Sequence, residues 1–248
     1  GSHRVYVRSN ANTSESDNIS LRSISIKHLA RPLEVPNSLT ATTLTKMIQA
    51  AHKKDNSKIP GGTIDWRKQK SEQELKKYIS KYKVVILAAA QRFKVDPALS
   101  GAILIDEYLR MGIEDALTDW RALIGFNTSV GIAQVRISTA REIIEKEIYN
   151  PDPKNKRLHP DRIQNTHSAH LYKLLKQEKY SIFFAAAYLR LQANRATSAK
   201  KKIDITRHPE YLAASYASGK LPARHPAIMA RGRQIVNEFY SIARSALK

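Results

Sequence analysis

Glu107 is the residue whose type and surroundings best suit acid–base chemistry. It lies on a helix predicted to begin at Asp96-Pro97, where an N-cap acid precedes a proline at the first helical position. A carboxylate on an apolar helix face is costly to ionise, so its pKa should be raised. A general acid needs such a raised pKa near neutral pH. The residues that share this face by helical spacing are Ser100, Ile103, Leu104 and Met111.

The same position also has an interpretation without chemistry. Glu107 would then be an acid at the edge of the core, with its head group reaching solvent or an arginine. The neighbouring Asp106 is followed four residues later by Arg110, which predicts an ordinary surface ion pair. Helical periodicity alone favours this structural interpretation of Glu107.

A second segment with candidate binding groups has the sequence NTSVGIAQV and covers residues 127–135. It is a polar turn that leads through Gly131 into a short apolar stretch containing Gln134. Glycine allows the backbone to approach a ligand closely, and a glutamine amide offers a donor and an acceptor to a polar substrate. On its own, the segment is more typical of a loop that leads into a helix at Ser138.

The elements that must position these groups are helices. Ser71 and Glu74 have the spacing of a capping box, which predicts a helix from Ser71 to about Phe93. The helix from Asp96 should end near Gly112. No strongly β-patterned stretch follows residue 70, so the fold class is mostly α. Further helices are predicted over residues 138–149, 161–177, 181–195, 209–217 and 226–247.

Residues 1–70 differ from the rest and are interpreted as an irregular N-terminal extension. Residues 1–3 are typical of the remnant of a cleaved affinity tag. Residues 9–25 are rich in Ser and Asn, and residues 53–62 combine charges with proline and glycine, as exposed loops do. The catalytic domain is then predicted to cover residues 71–248.

The composition narrows the classes of function. Among 248 residues, 42 Lys and Arg face 22 Asp and Glu, for a net charge of +20. This excess predicts a polyanionic partner such as nucleic acid, an anionic membrane surface or an acidic cell-wall polymer. The absence of cysteine excludes disulfides, cysteine zinc sites and cysteine nucleophiles. The longest strongly apolar run, residues 84–90, is far shorter than the about 20 residues of a transmembrane helix, so no transmembrane segment is expected.

Four segments together resemble the lysozyme-like superfamily, in particular lytic transglycosylases and goose-type lysozymes. VDPALSGAILIDE at residues 95–107 resembles their catalytic helix, which ends on the acid. SVGIAQV at residues 129–135, followed by STAR, resembles their G-L-M-Q segment. FAAAYLRL at residues 184–191 and LAASYASG at residues 212–219 resemble their A-x-x-Y-L and A-Y-N-x-G segments. The blocks follow the family order over roughly residues 84–220.

The resemblance implies a lysozyme-like α-helical domain that cleaves the β-1,4 bond between N-acetylmuramic acid and N-acetylglucosamine. Glu107 would be the catalytic acid, and Tyr216 would hydrogen-bond it. In a lytic transglycosylase Glu107 would then act as base on the muramic 6-hydroxyl, giving a 1,6-anhydro product. The resemblance implies no metal and no organic cofactor. The substrate-binding residues carried over from the matching motifs are Ser129, Gly131, Ile132, Gln134, Tyr188 and Tyr216.

The sequence departs from the family pattern, as expected for a divergent branch. Tyr108 follows the acid where the family has serine, Ala217 replaces an asparagine, and residues 132–133 replace Leu-Met. A second carboxylate is not evident, and the candidates are Asp115 and Asp119. If one of them positions a water, the enzyme would hydrolyse its substrate like a lysozyme.

Two other classes compete with an enzyme. A basic helix-turn-helix protein that binds nucleic acid would use residues 131–143, and a non-catalytic relative would only bind the wall. The basic residues are spread along the whole chain and aromatic residues make up only 7%, so specific nucleic-acid binding is not expected. We expect peptidoglycan glycan strands as the partner and a periplasmic or secreted location. A secreted antibacterial effector or toxin, which would require an immunity or inhibitor protein, is one biological setting; phage, conjugation and housekeeping wall enzymes are others.

Overall fold

The computed structural model describes residues 62–111, 128–198, 204–205, 207–219 and 225–248. In this part of the chain the structure is helical apart from one two-stranded hairpin, which confirms the mostly α class. The candidates Asp115 and Asp119 lie outside the described residues, as does most of the proposed N-terminal extension. Residues 59–248 form one compact unit, so residues 62–70 belong to the body that carries Glu107.

The described ranges contain nine helices and the hairpin, numbered here in chain order. A π-helical turn, Ile235–Phe239, joins the last two of them, and short 3₁₀ turns cover Trp66–Lys68, Lys156–Leu158 and Ile163–Asn165. The elements are α1 (Glu72–Lys81), α2 (Lys83–Phe93), α3 (Pro97–Arg110), β1 (Ser129–Val130), β2 (Val135–Arg136), α4 (Ile137–Glu145), α5 (Ser168–Leu175), α6 (Glu178–Ser198), α7 (Pro209–Ser218), α8 (Pro226–Gln234) and α9 (Tyr240–Leu247).

Both predicted helix starts around the site are confirmed. The Ser71 hydroxyl accepts from the Glu74 backbone N–H, while the Glu74 carboxylate accepts from the Ser71 N–H, which completes the capping box. The Asp96 carboxylate accepts from the Ala98 N–H at 2.8 Å and begins α3. Local side-chain geometry therefore sets where these helices begin.

The single helix predicted over residues 71–93 is wrong. The chain leaves helical geometry at Tyr82, where φ is −105° and ψ is 6°, and α2 starts at the next residue. The Tyr82 hydroxyl donates to the Glu178 carboxylate of α6 at 2.5 Å. This contact with a distant helix explains why periodicity did not predict the break.

Other helices differ from their predicted bounds for local reasons. The helix predicted from residue 161 begins only at Ser168, because the His167 side chain accepts from the Ala169 N–H and caps α5 there. The helix predicted over residues 226–247 is interrupted by the π-helical turn after Gln234. No helix among the described residues is long and apolar enough to cross a membrane.

The β-hairpin corrects the helix-turn-helix interpretation of residues 131–143. Ser129 pairs with Arg136 and Val130 with Val135 in an antiparallel register, so a strand and a turn precede α4. A helix-turn-helix needs a helix in that place. The segment therefore presents a tight backbone turn beside α4 rather than a recognition motif.

The central element is α3, which the other helices enclose. Eleven of its 14 residues are buried, so the helix is surrounded on all sides rather than on one apolar face. It contacts α1, α2, α6, α7, α9 and the π-helical turn. Any charged side chain in its last turns must therefore find its partners inside the protein.

Candidate active site

Glu107 lies in the last turn of α3 and is only 8% exposed to solvent. The apolar helix face predicted around Glu107 is confirmed, but the acid is buried rather than at the edge of the core. Its aliphatic neighbours Ile103 and Leu104 are fully buried in the core. A carboxylate at this depth requires either a compensating charge or a bound proton.

The compensating charge comes from Arg231 of α8. Its Nη2 donates to Glu107 Oε1 at 2.7 Å, and the arginine itself is only 3% exposed. The same guanidinium also binds Asp106, with Nε 2.7 Å from Oδ2. One buried arginine therefore bridges two adjacent carboxylates.

Asp106 is fully buried, so the predicted surface position is wrong. The predicted ion pair with Arg110 exists, with Arg110 Nε 2.9 Å from Asp106 Oδ1. Arg110 also donates to the Gly62 carbonyl at 2.8 Å. Asp106 faces the interior because α3 is packed on all sides, which helical spacing alone does not indicate.

The environment raises the pKa of Glu107 to about 7. Burial is the largest cause, because it disfavours the charged carboxylate. Arg231 opposes this effect, the charge of Asp106 adds to it, and Arg110 opposes it more weakly. A carboxyl group with this pKa can both donate and accept a proton near neutral pH.

Two packing features place Arg231 against α3. A Cβ on Gly232 would lie 2.4 Å from the Glu210 carbonyl oxygen and 2.8 Å from the Ala214 Cβ, so glycine lets α8 pack closely on α7. Gln234 exchanges two hydrogen bonds with the Ile64 backbone, at 2.9 and 2.8 Å. The chain just before α1 thereby holds the C-terminal end of α8.

Gly131 begins the turn of the hairpin with φ of +75°. A Cβ there would lie 2.0 Å from the Leu175 carbonyl oxygen and 2.6 Å from the Ser181 hydroxyl. The Ser181 hydroxyl also accepts from the Ala133 N–H at 3.1 Å. Glycine is therefore required because the hairpin turn packs closely on α5 and α6. The sequence alone suggested that the close approach at Gly131 is to a ligand.

Tyr216 of α7 connects the hairpin to the site. Its hydroxyl donates to the Ala133 carbonyl at 2.6 Å, so its proton goes to the hairpin and not to Glu107 as the family resemblance implies. Burial, followed by the charge of Glu107, raises the pKa of Tyr216 well above its usual value. Tyr216 therefore lies near Glu107 and stays neutral while it anchors the turn.

Tyr188 supports Tyr216 from α6. The two rings lie 5.3 Å apart, and the Tyr188 hydroxyl accepts from the Gln192 amide at 2.8 Å. Tyr188 is buried, and this burial raises its pKa to about 12. Its position suits a packing role better than direct contact with a sugar.

The remaining substrate-binding candidates lie together on the hairpin. Gln134 is half-buried at φ of +48°, and its amide donates to the Gly131 carbonyl at 2.9 Å. Ser129 and Ile132 are also half-buried, which leaves part of each side chain accessible. The structure thus brings the hairpin candidates together and joins them to α7 through Tyr216.

Sequence reasoning missed Arg231, the closest charged partner of Glu107. A signal was available, since Ile228, Arg231 and Ile235 have the three- and seven-residue spacing of one helix face and all three are buried. This is the same pattern of a charge on an apolar face that singled out Glu107. The two charged residues that lie on apolar helix faces, Arg231 and Glu107, bind each other.

A stacked tyrosine pair adjoins the acid. Tyr108, which follows Glu107, stacks on Tyr78 of α1 with ring centroids 4.2 Å apart. The Tyr78 hydroxyl is buried and has no hydrogen-bond partner among the described residues. Burial is the main cause that raises the pKa of Tyr78 above its usual range.

A known protein family matches the part of the chain that carries Glu107 and the hairpin. The model of the family described as "T6SS, Peptidoglycan muramidase Tse3, catalytic domain" matches residues 72–194, which include the whole of α1 to α4 with Glu107 and the hairpin. This match supports a divergent branch of the lysozyme-like muramidase family. Tyr216 and Arg231 lie beyond the residues that this muramidase family model matches.

One curated protein that is similar to this chain is named Peptidoglycan muramidase Tse3 and comes from Pseudomonas aeruginosa. It is 29% identical over 119 residues, which is 46% of this chain and 26% of the relative. The chain therefore spans about a quarter of the length of that relative.

Proposed function

We propose that the protein cleaves the β-1,4 bond between N-acetylmuramic acid and N-acetylglucosamine in peptidoglycan, with Glu107 as the acid. The observation that carries the proposal is the burial of the Glu107 carboxyl at the end of α3, within the residues that match the muramidase family. This burial raises the pKa of Glu107 to about 7. The name of the matching relative indicates the same substrate.

In the first step, protonated Glu107 donates its proton to the glycosidic oxygen while the bond from that oxygen to the muramic C1 breaks. The carboxylate that results lies 2.7 Å from Arg231 Nη2, which stabilises its new charge. The acetamido group of the substrate would stabilise the electron-deficient C1. The second step of the reaction then needs a group that removes the proton of the hydroxyl that attacks C1.

We assign that second role to Glu107 as well. As a carboxylate it would take the proton of the muramic 6-hydroxyl while O6 bonds to C1, which regenerates the acid and gives a 1,6-anhydro product. Asp106 is a poor candidate for a second carboxylate that positions water, because it is fully buried and bound by Arg231 and Arg110. If Asp115 or Asp119 holds a water, the outcome is hydrolysis as in a lysozyme.

The hairpin is the proposed sugar-binding element. The half-buried Ser129, Ile132 and Gln134 leave polar and apolar surface accessible, whereas both backbone groups of Ala133 are already bonded within the protein, to Ser181 and Tyr216. Tyr216 would act through Ala133 by fixing the turn. Tyr188 would support Tyr216 in the same way.

The net charge and the family suggest the biological setting. A charge of +20 attracts the protein to peptidoglycan, whose stem peptides carry carboxylates. The matching family is described as belonging to T6SS, the type VI secretion system. We propose an antibacterial effector that acts in the periplasm of a target cell or outside the cell, with an immunity protein in the producing cell.

The test is digestion of purified sacculi with the wild-type protein and the Glu107→Gln variant, followed by mass spectrometry of the products. Release of 1,6-anhydro muropeptides by the wild type alone supports the single-acid mechanism. Glu72→Gln is the matched control, because Glu72 forms an exposed ion pair with Lys76 at the start of α1. This substitution should leave activity unchanged.

The alternatives predict different products. Products with ordinary reducing ends would favour the lysozyme-type hydrolase. If neither protein released muropeptides, or both released them equally, Glu107 would lose its assigned role. Salt-dependent binding of DNA without any release would then favour the nucleic-acid alternative.

A further inference from the structure

We propose that Asp106 and Arg231 are positioning residues that set the proton affinity of Glu107 in opposite directions, so that one carboxyl group can serve as acid and base. This inference rests on the proposed function, since it explains how Glu107 could perform both steps. Its first observation is that one nitrogen of Arg231, Nη2, lies within ion-pair distance of both carboxylates.

Arg231 makes more contacts with Asp106 than with Glu107. Asp106 Oδ2 lies 2.7 Å from Nε and 2.5 Å from Nη2, whereas Glu107 Oε1 lies 2.7 Å from Nη2 alone. Asp106 therefore remains bound to the arginine when Glu107 takes up a proton. This matters because a buried guanidinium without a carboxylate is strongly destabilising.

Without Asp106, protonation of Glu107 would remove the anionic partner that the structure shows nearest to Arg231. The arginine would then hold Glu107 in its ionised form and prevent it from acting as an acid. With Asp106 present, either protonation state of Glu107 leaves Arg231 paired. Asp106 thus makes the proton on Glu107 exchangeable.

Arg110 completes the charge balance of the cluster. It donates to the Asp106 oxygen that Arg231 does not use, Oδ1, at 2.9 Å. Two carboxylates and two guanidinium groups balance when Glu107 is ionised, and protonation of Glu107 leaves one excess positive charge. Neither state leaves a large net charge in the interior, so neither is excluded by desolvation.

Among the residues that the structure describes, the other ionisable groups facing Glu107 do not change this balance near neutral pH. Tyr78 from α1 and Tyr216 from α7 both interact electrostatically with Glu107. Burial raises the pKa of each phenol above its usual value, so both remain neutral. Within the described ranges, the charged groups that act on Glu107 are therefore Asp106 and Arg110 on its own helix and Arg231 on α8.

The experiment uses the full chain and compares Arg231→Met with Asp106→Asn. Carbon-13 NMR of the glutamate side-chain carboxyls, with Glu107 assigned from the Glu107→Gln variant, gives the titration midpoint of Glu107 without any substrate. Arg231→Met should raise this midpoint and Asp106→Asn should lower it, each by about one to three pH units, or tenfold to a thousandfold in proton affinity. The alkaline limb of the pH–activity profile on sacculi should move in the same directions.

Matched controls separate this role from a general loss of charge or of stability. Arg233→Met removes an exposed arginine from the same helix, and Asp161→Asn removes an exposed aspartate. Neither should move the Glu107 midpoint. Arg231→Lys, which restores the charge, should return the midpoint toward the wild-type value, and the double variant Asp106→Asn/Arg231→Met should lie between the two single variants.

The inference is overturned if the two single variants shift the midpoint in the same direction or leave it unchanged. If Arg231→Met does not fold, Asp106→Asn, Arg231→Lys and the double variant carry the test, and an unchanged midpoint in Asp106→Asn overturns it. Opposite shifts in a protein that releases no muropeptides would sustain this inference while the proposed function fails. The NMR and digestion readouts therefore distinguish the two failures.

Discussion

Arg231 binds the Glu107 carboxylate at 2.7 Å although 124 positions of sequence separate the two residues. The contact joins the last turn of α3 to α8 in the interior of the helical body. Burial raises the pKa of the acid, and the guanidinium limits how far it rises. The chemistry of the site therefore depends on how two helices from distant parts of the chain pack.

Glu107 should make the protein less stable as the pH rises from about 4.5 to about 7. Its folded-state pKa is raised above its ordinary value of 4.5, so the folded protein holds this proton more tightly than the unfolded chain. The stability that the bound proton contributes is complete below pH 4.5 and is lost as the pH passes through about 7. Relative to Glu107→Gln, the wild type should lose up to about 3 kcal/mol.

Urea denaturation of both proteins at pH values below, within and above this window measures the difference. Since the two share every other ionisable group, the comparison isolates Glu107. A stability difference that stays constant across the window would contradict the raised pKa.

Tyr216→Phe should loosen the hairpin rather than change the ionisation of Glu107. The substitution leaves the buried Ala133 carbonyl without the 2.6 Å hydrogen bond that it now accepts, which should cost about 1 to 3 kcal/mol of folding free energy. Activity should fall while the midpoint of the pH–activity profile stays in place. Denaturation curves and pH profiles of the variant measure the two effects.

Tyr211→Phe provides the comparison for Tyr216, because Tyr211 lies on the same helix and contacts His208 through its ring. It should change stability little. A clear shift of the pH profile in Tyr216→Phe would instead support the hydrogen bond to Glu107 that the family resemblance implies.

Gly131→Ala should destabilise the protein far more than Gly62→Ala. Both glycines have positive φ, at +75° and +95°, so each substitution carries a backbone penalty of about 1 to 2 kcal/mol. At Gly62 an added Cβ meets nothing within 4 Å, whereas at Gly131 it would lie 2.0 Å from the Leu175 oxygen. The clash should add about 1 to 3 kcal/mol.

Thermal or urea unfolding of the two variants gives the comparison directly. Equal losses would mean that the hairpin can move away from α5 without cost. In that case the close approach of the turn would not constrain the site.

Wall cleavage should be sensitive to salt because the net charge of +20 adds long-range attraction to an anionic polymer. The screening length falls from about 10 Å at 0.1 M salt to about 3 Å at 1 M. Cleavage of sacculi should therefore slow several-fold over this range. A short uncharged chitin oligosaccharide that the protein cleaves or binds should show a much weaker dependence, and parallel losses on both would point to an effect on folding.

The features predictable from sequence are those that neighbouring residues determine. The Ser71–Glu74 capping box and the Asp96-Pro97 start act over two or three residues, so their spacing was enough to locate α1 and α3. The apolar helix face that carries Glu107 was also visible from its spacing, although the same spacing favoured an acid at the edge of the core rather than a buried one. The mostly α class follows from the same local rules.

Features that depend on contacts between distant parts of the chain could not be predicted from the spacing of residues. The break at Tyr82 reflects its bond to Glu178, and the Tyr216 hydroxyl selects Ala133 because α7 packs against the hairpin. Spacing placed Asp106 on the surface, but helices on every side of α3 bury it.

The sequence by itself therefore determined that a carboxylate at position 107 would share a helix face with apolar side chains. Only the tertiary structure decided that Arg231 neutralises it and that Asp106 shares the same guanidinium. The physical reason is that helix spacing acts within one or two turns, whereas the pairing of buried charges depends on which helices pack together.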